Sequence, residues 1–227
     1  VVSYTLTIET ETGSVVRTIS GEGRVDGPFE WDGFDDDGER VSDGNYSALL
    51  SVTYNDGDVV EATTSAFTLD TTYPQVDLEA EYTLFSPNGD GNRDVVRIEQ
   101  DSSEEDGWEG RILNADGETV RNFFWKGRLP TLEWDGRDDS GNIVPNGSYR
   151  YEVSTTDAAG NTTEESLSGI TVDNRETEVF VTVDKSAFSP NSDDYRDTVT
   201  ISMYTNLLEG VESWTLDILD ETGTPVR

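Results

Sequence analysis

The stretch Trp134-Asp135-Gly136-Arg137-Asp138-Asp139-Ser140-Gly141 has a near copy earlier in the chain, Trp31-Asp32-Gly33-Phe34-Asp35-Asp36-Asp37-Gly38. The two tryptophans are 103 residues apart, and so are the glycines of the motifs that follow, Gly44 and Gly147. A third marker recurs at the same interval, as Phe85-Ser86-Pro87-Asn88 and Phe188-Ser189-Pro190-Asn191. A fixed period of about a hundred residues indicates one type of domain used in tandem.

Short alternating segments separated by turn sequences predict an all-β fold. Residues 2–9 place Tyr4, Leu6 and Ile8 on one side of a strand, and a Thr-Gly turn leads into a partner strand at 14–19. The same hairpin recurs at 110–121 and 214–227. Further strands are predicted at 28–31 and 132–134, each ending in tryptophan. Because no segment has helical periodicity with caps, we expect tandem β-sandwiches of the immunoglobulin-like or fibronectin III-like type.

Composition limits the function of the chain. The formal net charge of −33 argues against nucleic acid or an anionic membrane as a partner. There is no cysteine and no histidine, so disulfides, sulfur-based zinc sites and histidine-dependent catalysis are excluded. With 48 acidic residues, pairs of carboxylates arise by chance, and we expect no enzyme activity. An acidic surface with few lysines also suits a saline environment, although an ordinary acidic exported protein has the same composition.

Four motifs in a fixed order resemble those of a known family. They are Phe85 to Asp94, the octet at Trp134 to Gly141, Asn146-Gly147-Ser148-Tyr149, and Asp157-Ala158-Ala159-Gly160-Asn161. Together they resemble the immunoglobulin-like domain of the flagellar hook-capping protein FlgD, which occurs as tandem repeats in large exported bacterial proteins. The resemblance covers nearly the whole chain. It implies an extracellular or cell-surface location and neighbouring repeats, of the same polypeptide or of identical molecules, as partners.

On this frame the chain divides into three repeats. Residues 72–174 form a complete repeat, residues 1–71 lack the opening strands, and residues 175–227 lack the closing strands. The chain begins within a strand pattern, so we expect an internal piece of a longer polypeptide. An incomplete sandwich exposes sheet edge and core. The missing strands are expected from further chain, from a neighbouring molecule, or from pairing between the two ends.

The loop after Pro87 is the candidate metal site. Its oxygen-bearing side chains alternate with glycines, as in the first half of a calcium loop. The candidate ligands are Asn88, Asp90, Asn92 and Asp94, and in the third repeat Asn191, Asp193 and Asp197. The alternative is that these residues form Asx turns that hold the loop together, in which case calcium plays no part.

Two further groups of residues invite a functional interpretation. The acidic octets are expected to be turns, since Asp tolerates and bonds the required backbone, and Trp31 and Trp134 are expected to fill the core. Trp108, Phe123, Phe124 and Trp125 form an aromatic group that we interpret as a candidate binding or interdomain patch.

The resulting prediction is a non-catalytic structural module, a spacer, stalk or assembly unit of an exported protein, rigidified by calcium if the loops bind it. The alternative is an adhesion or carbohydrate-binding module that uses the aromatic group. A flagellar hook-cap scaffold is a second alternative, disfavoured because that protein carries a single domain of this type.

Overall fold

The computed structural model describes residues 2–206, 211 and 213–226. They form two compact units, 1–173 and 174–227. The strands of the first unit are β1 (Ser3–Thr10), β2 (Val15–Glu22), β3 (Gly44–Thr53), β4 (Val59–Thr63), β5 (Phe67–Leu69), β6 (Val76–Ala80), β7 (Leu84–Phe85), β8 (Val96–Ser102), β9 (Glu105–Leu113), β10 (Thr119–Gly127), β11 (Leu132–Trp134), β12 (Gly147–Thr156) and β13 (Thr162–Val172). The second unit contains β14 (Val179–Val183) and β15 (Ile201–Thr205). The predicted all-β fold is confirmed, and the described residues include no helix that could cross a membrane.

The central repeat is a complete sandwich of two facing sheets. A five-stranded sheet has the order β10-β9-β12-β13-β7, and a three-stranded sheet has the order β11-β8-β6. Strand β8 shows why the sheets pack, because every second residue along it is buried. The core between the sheets is built from Phe85, Val96, Ile98, Trp108, Ile112, Leu129, Leu132, Trp134, Val144, Tyr149, Tyr151, Val153, Ile170 and Val172.

The core of the central repeat includes one buried polar contact between the sheets. The Tyr151 hydroxyl on β12 donates a hydrogen bond to Oε1 of Gln100 on β8 over 2.7 Å. The Gln100 amide nitrogen in turn donates to the carbonyl oxygen of Pro130 at 2.6 Å. Since buried polar groups must be paired, these bonds fix the position of one sheet over the other. Burial raises the pKa of the Tyr151 hydroxyl, which therefore stays protonated as a donor.

The first repeat has one sheet, in the order β2-β1-β3-β4 with β5 also paired to β3. Strands β2, β1 and β3 correspond to β10, β9 and β12 of the central repeat, and β4 and β5 together correspond to β13. Residues 2–71 have no counterpart of β6 or β8. The predicted strand at 28–31 is wrong, although 132–134 is a strand. The reason is that β11 exists as a strand by pairing with β8, and the first repeat offers no such partner.

The second unit contains the antiparallel pair β14–β15. The predicted hairpin at 214–227 is only partly right, because its described residues form a single bridge, Leu219 to Pro225, and no ladder; Arg227 lies outside the described residues. In the central repeat the matching strand β9 is held between β10 and β12. Among the described residues after Asp173, no strand corresponds to β12.

Candidate functional site in the turns, loops and the junction between repeats

The two tryptophan turns have the same local structure. Each indole N–H donates to a carbonyl oxygen three residues later, Trp31 to Phe34 at 2.8 Å and Trp134 to Arg137 at 2.9 Å. The Trp31 ring meets Tyr46 edge-on at 5.0 Å, and the Trp134 ring meets its counterpart Tyr149 at 5.3 Å. Trp134 therefore packs in the interior of its repeat, as expected from the sequence, whereas Trp31 makes the same contacts and is only half-buried.

The acidic octet is a turn in which aspartate carboxylates accept hydrogen bonds from backbone N–H groups. Asp138 accepts from the N–H groups of Ser140 and Asn142 at 2.9 and 2.8 Å. Asp35 has the same role in the first repeat, accepting from Asp37 and Glu39 at 3.0 and 2.8 Å. The backbone bond from Asn142 holds the pKa of Asp138 below its ordinary value. The octet is thus used for structure in both copies.

Asp139 and Asp36 attach the turn to the hairpin. The Asn122 side-chain and backbone N–H groups donate to Asp139 at 2.7 and 3.1 Å, which lowers the pKa of that carboxyl. Thr18 N–H donates to Asp36 at 3.0 Å in the same way. The octet therefore links the tryptophan to the edge strand of the sheet in each repeat.

The predicted calcium loop of the central repeat is internally hydrogen-bonded. Both carboxylate oxygens of Asp94 accept backbone N–H groups, from Gly89 at 2.6 Å and from Gly91 at 2.7 Å. Asp90 accepts from Asn92 N–H at 2.7 Å, and this bond chiefly lowers the pKa of the Asp90 carboxyl. Asn88 accepts from Asp90 N–H at 3.0 Å. A cation would compete with these bonds for the same side-chain oxygens.

The backbone of this loop alternates between ordinary and left-handed conformations, with φ values of 82°, 87° and 51° at Gly89, Gly91 and Arg93. Alternation of this kind turns successive N–H groups inward to form a nest for an anion, here the Asp94 carboxylate. In the third repeat Asp197 replaces Asp94 and accepts from Asn191, Ser192 and Asp194 at 3.0 to 3.1 Å. The described residues contain no group of three or more acidic, histidine or cysteine side chains suited to a metal ion.

The aromatic group does not form a single surface patch. Trp108 is 1 % exposed and lies in the core, so the predicted patch must be corrected to exclude it. Phe123 and Trp125 stack on each other at 5.5 Å and pack against the core, whereas Phe124 is 72 % exposed on the edge strand β10. Trp125 lies where a Cβ on Gly110 would approach it to 2.7 Å, so glycine is required there.

Trp108 has equivalents in the other repeats that the sequence analysis missed. Tyr4, Trp108 and Trp214 each lie nine residues before the turn glycine of their hairpin, which is Gly13, Gly117 or Gly223. Aligning the three hairpins on that glycine would have shown a recurring aromatic position. A large ring at one face of an alternating strand is most often a core residue, and in the central repeat it is one.

The junction between the first and central repeats is hydrogen-bonded on both sides. We call residues 70–75 the junction. From the first repeat, Asp43 accepts the hydroxyl of Thr71 at 3.0 Å and that of Thr72 at 2.8 Å. The bond from Thr72 is the largest cause of a lowered pKa at the Asp43 carboxyl. The first repeat thus holds the junction at two successive side chains.

The central repeat binds the junction at its backbone. Asn161 donates from its amide nitrogen to the carbonyl oxygen of Asp70 at 3.2 Å and to its own turn residue Asp157 at 2.8 Å. The Thr163 hydroxyl donates to the carbonyl oxygen of Pro74 at 2.7 Å. These contacts were not anticipated from the sequence, although Asp43 and Asn161 both belong to recurring or family motifs.

An open acidic cleft lies beside the junction. Its lining is Asp70, Glu104, Glu105, Asp106, Lys126, Gly127, Asp157 and Ala158. Asp157 is already engaged by Asn161, Ala159 and the turn backbone. The cleft is a polar surface that would attract cations in general, and its geometry selects no particular ligand.

The facing sheets and the tyrosine contact identify the class of the repeat. Tyr149 donates its hydroxyl to the carbonyl oxygen of Pro145 at 2.7 Å, and Tyr46 makes the same contact with Ser42. Such a tyrosine corner beside two packed, largely antiparallel sheets is typical of immunoglobulin-like sandwiches. The chain belongs to the FlgD Ig-like domain family, whose model matches residues 1–58 and 87–159.

Known proteins resemble parts of the chain. The C5a peptidase of Streptococcus pyogenes serotype M1 is 28 % identical in an alignment of 120 residues that covers 43 % of this chain and 10 % of that protein. The C5a peptidase of a serotype M3 strain is 29 % identical over 96 residues. The chain thus spans about a tenth of the length of the curated relatives it matches.

Two solved structures are similar at 18 % identity. The first is a tetra-tandem repeat from the extending region of a large adhesion protein, matched over 89 % of this chain and 48 % of that chain with a TM-score of 0.38. The second is described as a Ca²⁺-stabilized adhesin that helps an Antarctic bacterium bind ice. It is matched over 81 % of this chain and 43 % of that chain with a TM-score of 0.31.

Proposed function

We propose that this chain is a non-catalytic spacer segment of an exported or cell-surface protein, in which successive immunoglobulin-like repeats are held at a fixed angle. The observation that supports it best is the junction, which is bonded to Asp43 on one side and to Asn161 and Thr163 on the other. A linker without such bonds would behave as a hinge, since few other contacts oppose its motion.

The recurring motifs support the same function. Their aspartates form the turns and attach them to the hairpin in both copies, and their tryptophans pack edge-on against equivalent tyrosines. A module whose repeated signatures are structural is suited to setting distance and orientation between other domains, with neighbouring repeats as its partners.

The test is a distance distribution measured across the junction. The chain lacks cysteine, so spin labels can be placed at Asp37→Cys in the first repeat and Asp116→Cys in the central repeat. Pulsed electron resonance is recorded with the labelled chain diluted in unlabelled chain. We expect a narrow distribution that broadens in Asp43→Ala and in Asn161→Ala.

Asp56→Ala is the matched control, because Asp56 is an exposed turn aspartate that accepts from Asp58 N–H in the turn between β3 and β4. A distribution that is already broad in the parent chain, or that broadens equally with the control, contradicts a fixed-angle spacer.

Calcium binding remains a separate prediction. Asn88, Asp90, Asn92 and Asp94, and their counterparts Asn191, Asp193 and Asp197, would have to exchange backbone bonds for metal contacts. A ligand that binds only the folded state raises the melting temperature. A melting temperature equal in millimolar calcium and in chelator would therefore count against these sites.

Carbohydrate binding is the second candidate function, and exposed Phe124 is the observation that favours it. An exposed aromatic ring on an edge strand is a suitable surface for stacking a sugar. Glycan-array binding that is lost in Phe124→Ala and kept in Val15→Ala, another exposed apolar residue on an edge strand, would support it.

A further inference from the structure

The acidic octet of the central repeat bonds the outer backbone edge of a strand. Strand β10 is the first strand of its sheet, so one side of its backbone faces away from β9. The Asp139 N–H donates to the carbonyl oxygen of Val120 at 3.0 Å, and the Asp139 carboxylate accepts the N–H of Asn122 at 3.1 Å. A residue of an added parallel strand would use its own N–H and C=O on these two groups. Asp139 therefore occupies the place of one residue of a neighbouring strand, with its carboxylate in place of the carbonyl.

The first repeat makes the same contact at the outer edge of β2. The Asp36 N–H donates to the carbonyl oxygen of Val16 at 3.2 Å, and the Asp36 carboxylate accepts the N–H of Thr18 at 3.0 Å. The edge side chain is threonine here and asparagine in the central repeat. Because the contact is kept while this side chain changes, its target is the backbone of the edge strand.

An arginine between the two bonded backbone groups is also held by the octet. Arg121 donates from a guanidinium nitrogen to the carbonyl oxygen of Asp138 at 2.7 Å, and Arg17 donates to that of Asp35 at 2.7 Å. A charged side chain on an exposed edge normally discourages pairing with another strand. Since each arginine is turned toward the octet, the octet itself has to close the edge at this place.

The octet covers the longest edge strand in each repeat. In the central repeat β10 has nine residues, whereas the other edge strands β7, β11 and β6 have two, three and five. In the first repeat β2 has eight residues, and β4 and β5 have five and three. Short edges offer few groups to an incoming strand, so the long one is the edge that needs cover.

The sequence of β10 favours pairing with another strand. Residues 119–127 include no acidic residue in a chain that has 48, and they contain Phe123, Phe124 and Trp125 in succession. Such aromatic, uncharged stretches on an open edge are prone to add strands from other molecules. Beyond the octet, a register shift follows Trp125 and the strand carries Lys126, two features that oppose pairing. The octet protects the part of the edge that precedes them.

We propose that Asp139 and Asp36 close the outer edges of β10 and β2 to strand addition, so that repeats do not join edge to edge. Tandem repeats need this protection because neighbouring copies of one sequence are present at high local concentration. The role goes beyond setting distance and orientation, and it does not depend on the junction at 70–75.

Sedimentation velocity of edge variants tests the proposal. It is recorded in high salt, because the net charge of −33 on each copy otherwise opposes association. Asp139→Ala should raise the association constant by roughly tenfold or more over that of the parent chain. Asp138→Ala is the matched control, since it removes the same charge and two hydrogen bonds within the octet, while its side chain makes no printed contact with β10.

A proline placed on the edge separates exposure of the edge from loss of stability. Proline has no N–H and is tolerated in edge strands, where it blocks pairing. Asn122→Pro added to Asp139→Ala restores no bond of the octet. It should nevertheless return the association constant to that of the parent chain. Association through unfolded chains would not be reversed in this way, so the double variant identifies the cause even if Asp139→Ala is less stable.

Three results would overturn the proposal. They are an Asp139→Ala variant that associates no more than the parent chain, equal association of Asp138→Ala, and association that Asn122→Pro leaves unchanged. Asp36→Ala, alone and with Thr18→Pro, repeats the test in the first repeat and should give the same pattern. Distances across the junction are measured separately, so the spacer function and the edge role can fail independently.

Discussion

The first and central repeats contain the same tryptophan turn but differ in what covers it. Trp31 and Trp134 make the same hydrogen bond and meet equivalent tyrosines. Trp134 is 1 % exposed and belongs to a strand, whereas Trp31 is only half-buried and does not. Turn geometry is therefore determined by the local sequence, while burial and strand formation depend on the facing sheet.

The largest expected effect separates the two tryptophans. Trp134→Ala should lower the free energy of unfolding by about 3–5 kcal/mol, because it leaves a cavity in a closed core. Trp31→Ala should cost about 1–2 kcal/mol, since a ring that is only partly buried loses less burial. Urea unfolding followed by far-UV circular dichroism measures both. Exposed Phe124→Ala is the control, and equal losses at both tryptophans would contradict the comparison.

The next prediction concerns the contact between the sheets. Tyr151→Phe removes the hydroxyl that Gln100 accepts, and an unpaired buried polar group costs about 1–3 kcal/mol. Adding Gln100→Met should recover part of this loss, because it reproduces the apolar residue found at the same position in β15. The same urea experiment measures the free energy of unfolding of all three variants. If the double variant loses more stability than the two single variants added together, the apolar pair does not replace the hydrogen bond.

A smaller effect distinguishes the two copies of the loop after Phe-Ser-Pro. Gly89 and Gly91 of the central repeat are replaced by Ser192 and Asp194, which have φ values of 65° and 60°. Left-handed conformations strain residues that carry a Cβ. Asp194→Gly should therefore stabilise the second unit, and Gly91→Asp should destabilise the first, each by about 0.5–1 kcal/mol.

Hydrogen exchange of the strands next to each loop measures these two changes. Asp193→Gly, at a position with ordinary backbone conformation, is the control for Asp194→Gly. If both substitutions in the third repeat had the same effect, strain at φ would not be the cause.

The smallest effect is a pH dependence at the junction. The bond from Thr72 lowers the pKa of Asp43 in the folded state, so its contribution is complete above the ordinary Asp pKa of about 4. It is lost as the pH falls through the lowered folded value. The difference in melting temperature between the parent chain and Asp43→Ala should thus be present at neutral pH and vanish in strong acid. A difference that persists in acid would assign it to packing.

The sequence predicts local features well because they are encoded within a few residues. The turn aspartates, the core tryptophans and the Asx bonds of the Asn88 loop all follow from residue types at short spacing. The family follows from the resemblance of four ordered motifs, and the all-β sandwich follows from short alternating segments separated by turns.

Features that depend on distant partners could not be derived in this way. The same Trp-Asp-Gly sequence is preceded by a strand at 132–134 but not at 28–31, because β8 is present for one and absent for the other. The interpretation of Trp108 as part of a surface patch is wrong because its burial depends on the facing sheet, which residue type alone does not reveal. The junction contacts of Asp43 and Asn161 join residues far apart in sequence, and residue type alone does not specify such pairs.

Hydrogen exchange of β3 and β12 in the same dilute sample tests the central claim most directly. These strands occupy equivalent places in the two repeats and differ in the sheet that faces them. We predict that amides of 44–53 exchange faster than those of 147–156, because β12 is covered by the sheet β11-β8-β6 and β3 has no such sheet among the described residues. Equal protection of the two strands under dilute conditions would contradict the claim that the facing sheet, and not the repeated sequence, determines how stable each repeat is.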